Sequence, residues 1–255
     1  RLILTGHTGP AQVGAGNLLT PQQGDPAGNG QVRSEGDRLG TVPSLDGEHG
    51  TAEYSTDSCI ANPTPLSHTD GLTQGLLLSV SNGARLLRPG RFALDELERW
   101  LDQFCRCGAT HLITNPTVIA LIYQFAEHDD YFSFDDFQAI LSSASTLRDE
   151  LWHSFETRFN CRIFNLYGMT ETVANATYAG DHPEMGRKGT IGVPIDGEAR
   201  IVDPADGVTP TTGSGELQLR GAHICRGYWR NPQRTGKSFV EGGWFRTGDL
   251  ARRDA

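Results

Sequence analysis

"THLITNPTVIALIYQFAEHD", residues 110–129, changes its period part-way along. The first six residues are a compact apolar and β-branched run of strand length. From Thr117 onward the apolar residues fall at helical spacing. A strand that runs straight into a helix is half of a βαβ unit, and the neighbouring sequence supplies more of the same alternation. "FQAILSSAS" (137–145) reads as a strand and loop, "LRDELWHSFETRF" (147–159) as a helix, and "CRIFNLYG" (161–168) as a further strand. Upstream, "ALDELERWLDQFCRCG" (93–108) sets Leu94, Leu97, Trp100, Leu101 and Phe104 on one helical face, and "GLTQGLLLSVSNGARLL" (71–87) is a dense apolar run broken at Asn82-Gly83. Alternation of this kind predicts an α/β fold with a mostly parallel sheet covered by helices.

Beyond residue 188 the pattern changes to short strands between turn residues: "GTIGVP" (189–194), "GEARIVDPADG" (197–207) and "GELQLRG" (215–221). These predict a smaller antiparallel β-rich part with "DPADG" as a hairpin turn. Gly189, Gly192 and Pro194 read as turn-setting residues. Residues 20–57 are rich in Gly, Pro, Gln and acids and poor in bulky apolar residues, which predicts a long mobile loop or insertion.

The chain has 255 residues and a formal net charge of -9, so it lacks the basic footprint of a nucleic-acid binder. No apolar run reaches the roughly 20 residues that span a bilayer, and a cytoplasmic protein is expected. Five scattered cysteines fit neither a disulfide framework nor a paired zinc site, so ordinary thiols are expected.

Ligands of open α/β sheets bind at the carboxyl ends of the strands. "YGMTET", residues 167–172, falls at such an end. Tyr167 offers a flat face, Thr170 a hydrogen-bond donor for a phosphate oxygen, and Glu171 a hard oxygen ligand suited to Mg²⁺. Taken alone, the same six residues read equally well as a solvated turn after a core strand. The later stretch "GYWRNPQRTGKSFVEGGWFRTGDLARRD" (227–254) decides between them. With "YGMTET" and "GTIGVP" in that order, it strongly resembles the adenylate-forming superfamily of acyl-CoA synthetases, peptide-synthetase adenylation domains and luciferases. "PTPLSHTDGL" (63–72), "NPTVIAL" (115–121) and "SSASTLRDELWHSFETRF" (142–159) are similar to the family's segments leading to the nucleotide site.

The resemblance implies roles residue by residue. Ser142, Ser143 and Ala144 form the small-residue loop beside the adenine, Tyr167 stacks on the base, and Gly168 and Met169 continue the nucleotide wall. Thr170 contacts the α-phosphate, Glu171 holds Mg²⁺, and Asp249 takes both ribose hydroxyls. His68 lines the path between the acyl pocket and the reacting carboxylate, so Thr170, Glu171 and His68 form the expected catalytic set. Near the start, "LILTGHTGPAQVGAGNLL" (2–19) is similar to a degraded copy of the family's phosphate loop: Thr5, Gly6, Thr8, Gly9 and Pro10 fit, while Gln12 stands where a lysine is expected. Trp244 and Phe245 are expected to pack.

The implied activity is an ATP-dependent carboxylic acid:CoA ligase, with a fatty acid as the expected substrate and CoA as co-substrate. An amino-acid-activating domain is the alternative, with Asp70 the candidate for a substrate ammonium; a non-catalytic nucleotide-binding remnant is another. The expected organisation is a phosphate loop and Gly/Pro-rich segment over 1–58, an α/β nucleotide- and acyl-binding part over 59–187, and a β-rich part over 188–255. The family's carboxyl-terminal lid domain is expected to be absent, and the isolated chain to be nearly inactive.

Overall fold

The computed structural model describes residues 2–7, 54–173, 175–180, 188–195 and 197–253. Thr8, Gly9, Pro10 and Gln12 of the expected phosphate loop lie outside these residues, as does most of the Gly/Pro-rich stretch. The strands are β1 (Leu2–His7), β2 (Cys59–Ala61), β3 (Arg85–Leu87), β4 (His111–Thr114), β5 (Ala139–Ser142), β6 (Ile163–Gly168) and β7 (Asn175–Ala179). They continue with β8 (Val193–Pro194), β9 (Gly197–Val202), β10 (Ser214–Gly221), β11 (Phe239–Val240) and β12 (Trp244–Arg253). Among the described residues these build two sheets. One is seven-stranded in the order β3-β2-β4-β5-β6-β7-β8; the other is five-stranded, β1-β12-β10-β9 with β11 on β12. In the large sheet β2 to β6 pair in parallel, and β7 and β8 close the edge antiparallel.

Three of the helices, within residues 93–108, 116–129 and 147–159, form where the sequence period predicts them, and two short ones were not predicted. α1 (Leu78–Ser81) continues a π-helical turn, Gly71–Leu77. α2 (Leu97–Cys107) buries Leu97, Trp100, Leu101 and Phe104 and stops at Gly108, whose φ of 59° the left-handed cap requires. α3 (Pro116–Phe125) starts on Asn115, whose side chain accepts from Val118 N, with Pro116 at the first helical position. α4 (Asp149–Phe159) buries Trp152, Phe155 and Phe159, and α5 is Pro232–Ser238. The main core joins α2, α3 and α4 to the large sheet through Leu112, Ile119, Ile140 and Trp152. A smaller cluster holds Leu78 against Ile60, Ile113 and Leu141.

A third cluster brings Tyr167 and Ala176 of the large sheet, with Ile191 just before β8, against Leu2, Ile201, Leu217 and Ala251 of the small one. The two sheets are also joined through the backbone. Leu2 N donates to Gly192 O at 3.0 Å, and Ile191 N donates to Leu2 O at 2.9 Å. Gly192 has φ 77°, and a Cβ there would lie 1.7 Å from Tyr178 O, so only glycine fits this crossing. Two placements differ from the sequence expectation. β8, from "GTIGVP", belongs to the large sheet, and the first residues of the phosphate-loop segment form β1, an edge strand of the small one. Both depend on pairing with distant strands, which local period does not encode.

His111 sits fully buried on β4, its Nδ1 2.8 Å from Thr110 Oγ1 and its ring 4.7 Å from that of Tyr54. Burial pushes it down from 6.5 to about 4. Above 6.5 it is neutral in both states and costs nothing. As pH falls through 6.5 the unfolded chain gains a proton that the folded chain refuses until about 4. Acidification across that window is therefore expected to remove on the order of 3 kcal/mol of stability. Urea unfolding of wild type and His111→Gln between those pH values checks it, and the variant should show the flatter profile.

Candidate active site

The site gathers at the carboxyl ends of β4, β5 and β6. One cross-strand row there is polar: Thr114 lies beside Ser142, and Ser142 beside Asn165. Thr114 Oγ1, Ser142 Oγ and Asn165 Oδ1 are buried and accept or donate no hydrogen bond. Apolar residues would cost nothing at such positions, so a polar row at strand ends marks a functional edge.

Beyond β6 the chain makes a single 3₁₀ turn, Thr170–Thr172. Thr172 closes it, since its Oγ1 accepts from Met169 N at 2.9 Å and donates to Met169 O at 2.9 Å. This anchored turn leaves Thr170 half-buried and facing a cavity, with Glu171 only 6% exposed. Glu171 Oε1 accepts from Tyr228 OH at 2.7 Å, and Arg234 Nη2 stands 4.0 Å away. The Arg234 guanidinium lies over the Tyr228 ring at 4.0 Å. Burial and the Glu171 carboxylate push the Tyr228 phenol up to about 12, so it stays a donor at neutral pH. Glu171 Oε2 is buried without a hydrogen-bond partner. An unpaired carboxylate oxygen at that depth is costly unless a cation meets it.

Two cavities flank this turn. The first, about 330 Å³, is lined by Leu4, Ala144, Asn165, Tyr167, Ile191 and Asp249, among others. Tyr167 OH donates to Asp249 Oδ2 at 2.6 Å across it. Burial, and then the Asp249 charge, hold the Tyr167 phenol well above its ordinary range, so it remains the donor. Asp249 reaches this place because β12 pairs with β1, whose His7 is its register partner. The second cavity, about 140 Å³, is lined by His68, Asp70, Thr73, Gln74, Ser143, Thr170, Val173 and Asn175, among others. Ala144, Gly168 and Met169 line both, so the cavities share a wall. Two positions on these walls are held in the left-handed region without being glycine, Ala144 at φ 71° and Val173 at φ 62°. For a β-branched residue that is an outlier, of the kind that concentrates at binding sites.

The predicted site residues divide accordingly. Tyr167, Gly168, Met169, Ala144 and Asp249 meet at the larger cavity, and His68, Ser143 and Thr170 at the smaller. Ser142 is fully buried within the polar row and lines neither. Thr5 and Gly6 lie on β1, the strand that pairs with β12 and leads towards the expected loop. Trp244 and Phe245 pack as expected: Phe245 is 2% exposed, and Trp244 sits between Arg200 and Arg220 at 4.4 and 4.6 Å. Sequence reasoning gave no role to Gln74, Asn175, Thr172 or Tyr228. Tyr228 stood inside the decisive stretch, so its signal was present. Gln74 and Asn175 carried none, being 101 positions apart and adjacent only in space.

Residues 40–229 match the family model of the AMP-binding enzymes. The chain belongs to the AMP-binding enzyme family. Among its relatives, a sulfoacetate–CoA ligase of Cupriavidus necator is 33% identical over 192 residues, 75% of this chain and 36% of that protein. The 4-coumarate–CoA ligase 4 of Arabidopsis thaliana is 30% identical over 211 residues, 81% of this chain and 36% of that protein. Among solved structures, ATP-bound MatB from Rhodopseudomonas palustris superposes with a TM-score of 0.69 at 25% identity, over 79% of this chain and 39% of that one. The chain thus spans little more than a third of the length of each of these proteins. The family, the α/β fold and the antiparallel second sheet are those the sequence motifs imply. Among the described residues no helix is long and apolar enough to cross a membrane.

Proposed function

We propose that this chain carries the nucleotide- and acyl-binding surfaces of an ATP-dependent carboxylic acid:CoA ligase that works through an acyl-adenylate. The observation that supports it is the pair of cavities sharing Ala144, Gly168 and Met169, with Thr170 on the smaller one and Glu171 next to it in the same turn. In this reading the adenosine occupies the larger cavity, beside Tyr167, with the ribose hydroxyls on Asp249. The acid enters the smaller one past His68. Its carboxylate oxygen attacks the α-phosphorus, the bond to pyrophosphate breaks, and Thr170 donates to the α-phosphate. A thiol, that of CoA, then displaces AMP from the acyl carbon. Catalysis of the first step is chiefly positioning and charge neutralisation.

Mg²⁺ fits one feature of the site, the buried and unpartnered Glu171 Oε2. Among the described residues no cluster of three or more His, Cys, Asp or Glu could hold a metal, so the remaining ligands would be phosphate oxygens and water. When bound, the ion neutralises charge on the phosphates. Tyr228 holds the other carboxylate oxygen and so orients Glu171 towards it.

The acid itself is short and polar in this reading. A cavity of about 140 Å³ lined by Asp70, Thr73, Gln74, Ser143 and Asn175 does not suit the alkyl chain of a fatty acid. The test is ATP–pyrophosphate exchange by a version of the protein extended to the full length of its relatives, with acetate, hydroxy, amino, dicarboxylic, aryl and long-chain acids, followed by AMP release with CoA. Acid-dependent exchange that is strongest with short polar acids is expected. A second reading, a nucleotide-binding remnant, is favoured by Gln12 in place of the loop lysine. Nucleotide binding without exchange for any acid would establish that reading instead.

A further inference from the structure

Among the described residues neither cavity has a lysine or arginine on its wall. The larger is lined by Asp249 and no basic residue, and the smaller by Asp70 with His68 as its one basic side chain. The chain as a whole is acidic, at a formal net charge of -9. A triphosphate brought to these walls meets like charge, so positive charge has to come from an element standing beside them. The segment that reaches Glu171 is of that kind. Between Glu216 and Glu241 the sequence places Arg220, Arg226, Arg230, Arg234 and Lys237 and no Asp or Glu.

This segment is tied to the polar turn at several points. Cys225 N donates to Glu171 O at 2.7 Å, and Tyr228 OH donates to Glu171 Oε1 at 2.7 Å. Thr235 closes the loop between them and α5, since its Oγ1 accepts from Tyr228 N at 2.9 Å and donates to Asn231 O at 3.0 Å. Asn231 Oδ1 accepts from Arg234 N at 3.0 Å. At Gly227 a Cβ would lie 2.6 Å from Thr235 Cγ2, so the loop closes too tightly for a side chain there.

The closed loop stacks Arg234 on Tyr228 and so aims its guanidinium at the turn. Among the described residues the pair between Arg234 and Glu171 is the one ion pair made to that turn. Its separation of 4.0 Å is too long for a hydrogen bond, and the Arg234 side chain is 42% exposed where that of Glu171 is 7%. Among the described residues no hydrogen bond engages the guanidinium. It is held in direction by the stack and keeps its N–H donors for another anion.

We propose that Arg234 binds the β- and γ-phosphates of ATP, the part that leaves as pyrophosphate. The proposal rests on the reading of the site as one that binds ATP. With the α-phosphate at Thr170, the rest of the chain of phosphates extends past the turn on the side of Glu171. There Oε2 is open to a cation and Oε1 is flanked by Arg234. When the bond to the α-phosphorus breaks, its electron pair stays on the bridging oxygen of pyrophosphate. A guanidinium meets that charge without giving up a proton.

The test uses a version of the protein extended to the full length of its relatives. Calorimetry in the presence of Mg²⁺ compares AMP, inorganic pyrophosphate and α,β-methylene-ATP, whose carbon bridge to the α-phosphorus does not break. Arg234→Gln is expected to weaken the ATP analogue and pyrophosphate by about tenfold or more, the scale of a lost charge-assisted contact. AMP should bind the variant as it binds the wild type. Arg234→Lys keeps the charge and loses the planar fork, so it should retain part of the preference for the ATP analogue over AMP, and it decides the matter if the glutamine variant does not fold. An equal loss for AMP and the ATP analogue would make Arg234 a support of the fold and overturn the proposal. Unchanged or tighter binding of the ATP analogue by Arg234→Gln would mean that the arginine only shields Glu171, and would overturn it as well. If the wild type binds neither AMP nor the ATP analogue, the nucleotide-site reading falls, and the proposal with it.

Discussion

In a version of the protein extended to the full length of its relatives, Glu171→Gln is expected to lower acid-dependent ATP–pyrophosphate exchange by on the order of 10²- to 10³-fold, the usual cost of removing one preorganised electrostatic contact. The thermal midpoint should hold steady or rise. Glutamine preserves the shape, and its carbonyl oxygen can still accept from Tyr228 OH, which now contacts Glu171 Oε1 at 2.7 Å. What disappears is the buried Oε2, an anionic oxygen with no hydrogen-bond partner. An amide N–H₂ in its place repels a cation, yet it also relieves an unpaired buried charge, hence the opposite signs for activity and stability. Calorimetry of ATP with and without Mg²⁺ gives a readout independent of turnover. A variant whose ATP binding responds to Mg²⁺ as the wild type does would remove Glu171 from the metal site. Tyr228→Phe provides a graded comparison, since it keeps the carboxylate and removes only the hydroxyl that orients it.

The second large effect is expected at Asp249. Replacement by alanine should weaken ATP and AMP by the same factor, because both carry the ribose, and two lost charge-assisted hydrogen bonds amount to about 2 to 4 kcal/mol in a desolvated site. Part of the loss will reflect Tyr167, whose hydroxyl Asp249 holds at 2.6 Å. Tyr167→Phe separates the two contributions: it leaves the carboxylate in place and should lose less than Asp249→Ala does. Binding of AMP unchanged in Asp249→Ala would exclude the residue from the nucleotide site. An effect on ATP but not on AMP would move its role to the phosphates.

Much of this molecule is written in local sequence. The period change inside residues 110–129 specifies β4 and α3 without reference to anything distant, because alternation and helical spacing are properties of neighbouring residues. Asn115 followed by Pro116 marks the start of α3 for a reason contained in three residues: a side-chain acceptor for an orphan amide and a ring that needs none. Thr170 and Glu171 stood out as candidates, since a polar cluster after an apolar strand lies where an α/β sheet binds its ligands, but the six residues alone left a solvated turn equally open until the motif resemblance was added. Asp249 was a candidate only through the resemblance of whole motifs.

Pairing between distant segments was not. Nothing in residues 2–7 indicates that they form the edge of a sheet whose other strands begin nearly two hundred residues later. Strand partners are chosen by packing and register, and these exist only once the sheets have come together. The same holds for the bond between Tyr167 and Asp249, 82 positions apart, and for the contact between Tyr228 and Glu171, 57 apart. By itself the sequence determined the alternation of elements, the family motifs and the place of the polar turn after β6. Only the tertiary structure decided that Asp70 stands among three neutral donors in a small polar cavity. Electrostatic environment is a property of what surrounds a charge, and the surroundings of Asp70 come from residues 62, 74 and 143, which local sequence cannot bring together.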